Sequence, residues 1–331
     1  MLKRVPYFLA APKDGRDMTK KIQAKLDKYG ICILGAGDFV TTGIGLPYRG
    51  TLMGMGASSR LILADEVRDG AAVRLSCYSA VKNLSIIGSE ETAGPQALGE
   101  RHGILFEGTA TDYTDYDHTN QPYKNTVSGC IILGFSGGGI TCRHTGYSVA
   151  SSIAASDCHI RYSGAGILIS HFSEFHNFTN VACSQNLYGC INNGGNNNFV
   201  NCCFSANGTG FVIDNTDGQA PNCAHGSAVG CTFHHSDNNE GVGIYIKDAT
   251  PGFVFSGGNL GFSKIVLENA DAIVFNGFNF LRRVAISVSG GTLTLFSGCA
   301  FHQTPTLSVE NNDAVHFDSC YMQDGSPYKP I

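Results

Sequence analysis

Charge is what this sequence has least of. Only 15% of its residues are Asp, Glu, Lys or Arg, well under the ~25% usual for soluble domains. The net charge of −5 and pI near 6.1 leave no basic field to hold nucleic acid, so no nucleic-acid partner is expected. Long apolar runs are missing as well. None approaches the ~20 residues of a membrane-spanning helix, so no membrane insertion is expected. The run Val5–Ala11 is short and carries Pro6, which makes secretion by a signal peptide unexpected. Among thirteen cysteines there is no C-x-x-C pair, and the one close pair is Cys202–Cys203. Neither a zinc site nor a disulfide framework is indicated, and no metal or cofactor is expected. Free thiols suit a reducing compartment at synthesis.

Helical periodicity is confined to one stretch. Asp17 is placed to cap a helix over residues 17–29, Met18, Ile22 and Leu26 form its apolar stripe, and Gly30 ends it. The glycines after it, Gly54-Met-Gly-Ala, lack the Lys and the strand–loop–helix setting of a phosphate loop.

What the sequence does have is glycine, 42 residues of it, and a degenerate repeat from Asn125 to Met322. Each copy has a Cys or a substitute, an apolar residue two positions on, a turn, and a second short apolar run. The first positions are Cys130, Cys158, Cys183, Cys202, Cys231, Gly258, Phe278, Cys299 and Cys320, roughly 20 to 30 residues apart. The period of two marks strands. A second strand is expected around Ile140, Ile167, Cys190, Phe211, Ile244, Ile265, Ile286 and Leu307. Several of these follow a glycine (Gly139, Gly189, Gly210, Gly243), expected to serve turns with positive φ. Short strands joined by Gly- and Asn-rich turns predict a single-stranded, right-handed parallel β-helix, all-β, with a short N-terminal capping helix. The expected organisation is a cap over residues 1–63 and one continuous β-helix over 64–331. Seven cysteines in one column should stack about 4.8 Å apart from coil to coil as buried thiols.

The order Asp14-Gly-Arg-Asp17, a helix with Ile22-Gln23, Ile31-Cys-Ile-Leu-Gly35, Gly37-Asp-Phe39 and Leu52-Met-Gly54-Met-Gly56 resembles the N-terminal signature of the pectate-lyase-like β-helix superfamily, bacteriophage and prophage tailspikes especially. The resemblance implies a parallel homotrimer and a place on a virion tail after synthesis in the cytoplasm. The late repeats crowd Phe253, Phe255, Phe275, Phe278 and Phe280, and strand alternation should turn some of these outward toward a neighbouring copy.

Long turns follow the second strand in the early and middle repeats and should stack as a ridge, with a notch at Gly194-Gly-Asn-Asn-Asn. Cleaving a glycosidic bond takes two carboxylates about 5 to 9.5 Å apart. The candidates for catalysis are Glu174, Asp214 and Asp115. His171, His176, Arg143, His144, Tyr116, Tyr147, Asn197 and Asp217 are candidates for holding substrate. His225 lies on the same ridge. His234 and His235 read as a polar turn rather than metal ligands. The expected partner is a polysaccharide or oligosaccharide of a bacterial surface, bound and cleaved, with hydrolysis favoured over elimination. A lyase needs a base beside the sugar, for which only Arg143 and Arg161 stand near the ridge. A non-catalytic carbohydrate adhesin is the alternative, and a cellular polysaccharide lyase or fructan-transforming enzyme the third.

Overall fold

The computed structural model describes residues 6–89, 94–108, 123–144, 150–216, 225–234, 241–249 and 252–330. The chain falls into two compact units, Met1–Leu168 and Ile169–Ile331. Both are built of coils that contribute strands to three parallel sheets, here A, B and C in chain order within a coil. In the second unit, sheet A holds strands such as Phe253–Ser256 and Ile273–Asn276, sheet B holds Asn259–Gly261 and Asn279–Phe280, and sheet C holds Lys264–Glu268 and Ala285–Ser289. This is the expected parallel β-helix, with one α-helix among the described residues, α1, at Thr19–Tyr29.

The coil has three strands where the sequence suggested two. The extra one, in sheet A, ends directly before the Cys column. A single left-handed residue makes the bend: Asn83, Asp157, Asn180, Asn201 and Ser319 have φ between 52° and 55°, and Gly129, Gly230, Gly257, Gly277 and Gly298 fill the same slot. Asn and Gly tolerate that conformation best. With so short a bend, the sheet A strand looked like the tail of the preceding turn.

The second-strand residues fall in register on sheet C: Cys190 pairs with Phe211, Phe211 with Ile244, Ile244 with Ile265, Ile265 with Ile286 and Ile286 with Leu307. The preceding glycines serve another purpose than the one expected. Gly139, Gly189, Gly210 and Gly243 have no positive φ. A Cβ at Gly189 would lie 2.3 Å from the Gly210 carbonyl oxygen. Close approach of neighbouring coils, not turn geometry, selects glycine there.

The Cys column also needs one correction. Cys183 pairs with Phe204, two positions further along the strand, and Val181 takes the column slot, its carbonyl accepting the Cys203 N–H. The true column residues Cys130, Cys158, Cys202, Cys231, Cys299 and Cys320 share one environment. Each thiol faces a sheet A carbonyl, as in Cys202 to Phe178 (3.4 Å), Cys231 to Phe199 (3.4 Å), Cys299 to Phe275 (3.2 Å) and Cys320 to Phe296 (3.3 Å). A small apolar side chain with a weak donor fits that slot. None of the twelve described cysteines is in a disulfide, and only Cys203 is not buried. Contact with Cys202, and then burial, push the Cys231 thiol well up from its ordinary value. Contact with Cys320, and then burial, push the Cys299 thiol up as well, so a disulfide-exchange reagent added to native protein should leave Cys231 and Cys299 unlabelled until denaturation. Rapid native labelling of Cys231 or Cys299, identified by peptide mapping, would contradict the buried column.

Helix α1 covers the start of the first unit. Met18, Ile22 and Leu26 are buried, and Gly30 (φ 67°) closes the helix through its N–H to the Leu26 carbonyl. Asp17 sits one residue ahead of the cap position and accepts the Thr19 N–H at 2.8 Å. Gln23 joins helix to sheet: its amide donates to the Gly45 carbonyl (2.8 Å) and accepts the Gly45 N–H (3.1 Å). It thereby fills the place of a further strand on Ile44–Leu46, the first strand of sheet C, which is how a solenoid end avoids an open edge.

Phenylalanines fill the bore of the second unit. Phe255, Phe275, Phe296 and Phe317 stack with centroids 4.8 to 4.9 Å apart and planes within 11°. Phe280 stacks on Phe301 at 4.7 Å, and Phe301 on Tyr328 at 4.5 Å. Phe253, Phe255, Phe275, Phe278 and Phe280 are all fully buried. The expected outward rings are thus absent from this group, because the flanking positions of each strand, not these, point to solvent.

Candidate active site

Residues 170–176 of the second unit connect sheet C to sheet A, in a turn whose underside is fixed by buried polar groups. Ser173, His176, Asn192 and Asn197 are fully buried. Asn197 accepts the His176 N–H (2.9 Å) and donates to Asn192 Oδ1 (2.8 Å), while His176 Nε2 lies 3.0 Å from Ser173 Oγ. His176 and Asn197 were expected to touch substrate. Burial removes both from direct contact and makes them supports of the turn.

The upper side is different. Phe172 (φ 58°) and Phe175 (φ 62°) are both left-handed, a conformation costly for a bulky residue. Both are also exposed, at 43% and 52%. Strain of this kind, of order 1–3 kcal/mol per residue, persists only where surrounding structure enforces it. The buried network beneath supplies the enforcement. Glu174, half-buried, lies between the two rings in sequence, and its Oε2 accepts from Asn196 Nδ2 at 3.4 Å.

The next coil supplies the notch. A Cβ on Gly194 would come 1.8 Å from the Ser173 carbonyl oxygen, and one on Gly195 would lie 3.1 Å from Glu174 Oε1 and 2.8 Å from His225 Cε1. Glu174 and His225 thus converge over Gly195, and any side chain at 195 would push them apart. A carboxylate and an imidazole that border the same point can both reach a ligand lying there, and exposed rings offer an apolar face to a sugar ring. His225 is the main residue that the sequence left without a role; its distance of about fifty positions from Glu174 hides their convergence on Gly195, which only the coil geometry creates.

Asp214 ends a sheet C strand, Thr209–Asp214, and its carboxylate accepts from the Thr216 N–H (3.0 Å) and the Thr216 hydroxyl. It closes its own turn. His171 opens the 170–176 turn and is half-buried. Asp115, Tyr116, Tyr147 and Asp217 lie outside the described residues. On sheet C of the same unit, Tyr245 donates to Glu268 (3.0 Å), with Lys247 3.8 Å from the same carboxylate. Burial and that carboxylate push the Tyr245 hydroxyl up to about 12.

Arg143 and His144 belong to the first unit. Arg143 Nε donates to Glu107 (2.7 Å) and Nη1 to Glu100 (2.6 Å), and Arg74 holds the other Glu107 oxygen (2.6 Å). Glu100 also lies 3.5 Å from the buried His102, whose Nδ1 accepts the Gly138 N–H (2.9 Å). The bond from Arg143 holds Glu100 below the usual carboxylate range. Arg143 is therefore a charged, committed partner of two carboxylates, unsuited to act as a base.

Burial holds His176 neutral, with its pKa lowered to about 3. The unfolded chain binds this proton near pH 6.5, about the ordinary histidine value. Between the two values the unfolded state carries the extra proton. Stability is therefore full above about pH 6.5 and falls as pH drops toward about 3, by up to about 1.4 kcal/mol per unit for this one group. Urea midpoints measured across that range should show a slope that His176→Gln reduces. An identical slope in the variant would mean that His176 is not buried neutral.

No family model and no curated protein matches the chain. Solved structures do. The tailspike gp49 of Acinetobacter baumannii bacteriophage Fri1, a capsular polysaccharide depolymerase, superposes with a TM-score of 0.67 at 13% identity, over 99% of this chain and 65% of that one. The A-module of the Azotobacter vinelandii mannuronan C-5 epimerase AlgE6 gives 0.62 at 15% identity, over 96% of each chain. The catalytic unit of a GH87 α-1,3-glucanase from Streptomyces thermodiastaticus gives 0.62 at 12%, over 95% and 67%. The chain thus spans about two thirds of the phage and glucanase chains and nearly all of the epimerase module. It has the right-handed parallel β-helix fold of the phage tailspikes and the mannuronan epimerase modules.

Proposed function

We propose that this protein binds and cleaves a bacterial surface polysaccharide by hydrolysis, at the notch formed by Glu174, Gly195 and His225. The observation that carries this reading is the pair of exposed, left-handed phenylalanines on either side of Glu174. Paying conformational strain to present two rings and a carboxylate makes sense where a ligand uses them. In this reading Glu174 donates the proton to the leaving oxygen, and Asp214 or His225 assists the water. Hydrolysis is favoured over elimination because Arg143 is committed to Glu100 and Glu107. Fold likeness to a capsular polysaccharide depolymerase and a glucanase supports the substrate class by analogy. A virion-tail location and a parallel homotrimer belong to this reading by the same analogy, and light scattering at micromolar concentration tests the trimer.

Incubation with a panel of bacterial capsular and O-antigen polysaccharides should release reducing ends from one of them without unsaturated-uronate absorbance. Unsaturated product would replace hydrolysis by elimination. Binding without product would favour the adhesin reading, for which the same aromatic pair would serve.

A further inference from the structure

A cleft of about 520 Å³ opens in the first unit, lined by Asp65, Arg68, Arg101, Phe135, Ser136 and Tyr162 among others. The volume is that of an ordinary small-molecule site. Its walls are the turns that join sheet B to sheet C, the opposite connection from the one that carries Glu174. Glycines bring these turns together: a Cβ on Gly134 would meet the Ser89 carbonyl oxygen at 2.2 Å, and one on Gly164 the Ser136 carbonyl oxygen at 2.0 Å.

Arg101 is fixed in one wall. Its Nη2 donates to the Leu63 and Ala64 carbonyls (2.8 and 3.0 Å), its side chain is only 14% exposed, and its Nε is buried without a partner. The nearest carboxylate, Asp65, is 3.9 Å away and 95% exposed, so water screens much of its neutralising effect. Arg68, exposed, adds a second guanidinium to the same cleft. Tyr162 is left-handed (φ 55°), and the Arg161 guanidinium lies over its ring, 4.9 Å from the centroid. Phe135, fully buried, makes an apolar floor. Among the described residues the cleft therefore combines two positive charges against one screened negative charge, a hydroxyl and an aromatic wall.

We propose that this cleft is a second carbohydrate site, distinct from the notch, that takes a sugar residue bearing an anionic substituent. The guanidiniums hold the anionic group, and Tyr162 flanks the ring above the floor that Phe135 supports. The class of ligand rests on the polysaccharide reading, but the site does not depend on Glu174. Two guanidiniums also suit a free inorganic anion, and the test separates the two.

Calorimetric titrations of the full chain carrying Glu174→Gln, chosen to slow turnover, with glucuronate oligosaccharides, matched neutral glucose oligosaccharides and inorganic phosphate decide it. The acidic oligosaccharide should bind about tenfold or more tighter than the neutral one, the size expected of a charge-assisted contact. Arg68→Glu, on the surface, should abolish that preference. Tyr162→Gly, compatible with the left-handed backbone, should weaken the acidic oligosaccharide while leaving phosphate unchanged. Phosphate binding as tightly as the acidic oligosaccharide would overturn the proposal in favour of a simple anion site. Equal affinity for neutral and acidic sugars, or an Arg68→Glu variant that keeps the preference, would also overturn it. Those results would leave turnover by the unsubstituted chain intact, so failure of the cleft is distinguishable from failure of the notch.

Discussion

Glu174→Gln should lower turnover on the true polysaccharide by a factor of about 100 or more, the contribution typical of a positioned general acid. Glutamine keeps the shape of the side chain and an oxygen to accept from Asn196 Nδ2, so the notch over Gly195 should survive. Only the transferable proton is lost. Because Glu174 is half-buried on a turn and contributes nothing to the bore, thermal stability should change little. The neighbouring rings provide a contrasting measurement. Asn at position 172 or 175 accepts the left-handed conformation and removes the aromatic face. Phe172→Asn and Phe175→Asn should therefore raise KM with kcat largely kept, and stability should hold or rise. Asp214→Asn separates the roles of the second group, since Asn can still close the Thr216 turn. A loss of turnover in that variant would make Asp214 the partner carboxylate, and retention would leave the task to His225. Full activity in Glu174→Gln would remove the notch as the reaction centre.

Phe275→Ala should cost about 3 to 5 kcal/mol, the range for truncating a buried ring. Phe275 stacks on Phe255 and Phe296 at 4.9 Å each and meets Phe278 and Phe280 edge-on at 5.7 and 6.0 Å. Removing it leaves a gap that hydrogen-bonded coils above and below cannot close by collapse, and aromatic pairing adds about 0.5 to 1.5 kcal/mol per pair to the loss. Against a total stability of about 5 to 15 kcal/mol, that is a large share. Chemical denaturation should register it as a lower midpoint. A cost under about 1 kcal/mol would mean the ladder is not packed as described.

The sheet C residues from Cys190 to Leu307 were legible as a column because an apolar residue recurring once per coil has only one place to go, the bore. The Cys column was legible for the same reason, apart from one slip. The pattern Val181-x-Cys183 offers two apolar positions in one strand, and cysteine alone drew the alignment two residues too far. The third strand was missed because one left-handed residue replaces the loop by which strands are usually separated.

The candidate site divides in the same way. Glu174 between two phenylalanines, and a glycine notch one coil on, could be read directly from the sequence. The burial of His176 and Asn197 could not, since a polar residue in a turn looks the same whether it faces water or supports the turn from below. Nor could the meeting of Glu174 with His225, which lie two coils apart and on turns of different length.

The sequence by itself determined the period, the inward-facing column of sheet C, the capping helix and the parallel stacking. Each follows from local pattern, burial and backbone propensity, which act over a few residues. Only the tertiary structure decided which polar side chains are buried supports and which converge on a surface. Stacking brings residues some twenty or more positions apart to within hydrogen-bond distance, and no local preference encodes which of them will share a point.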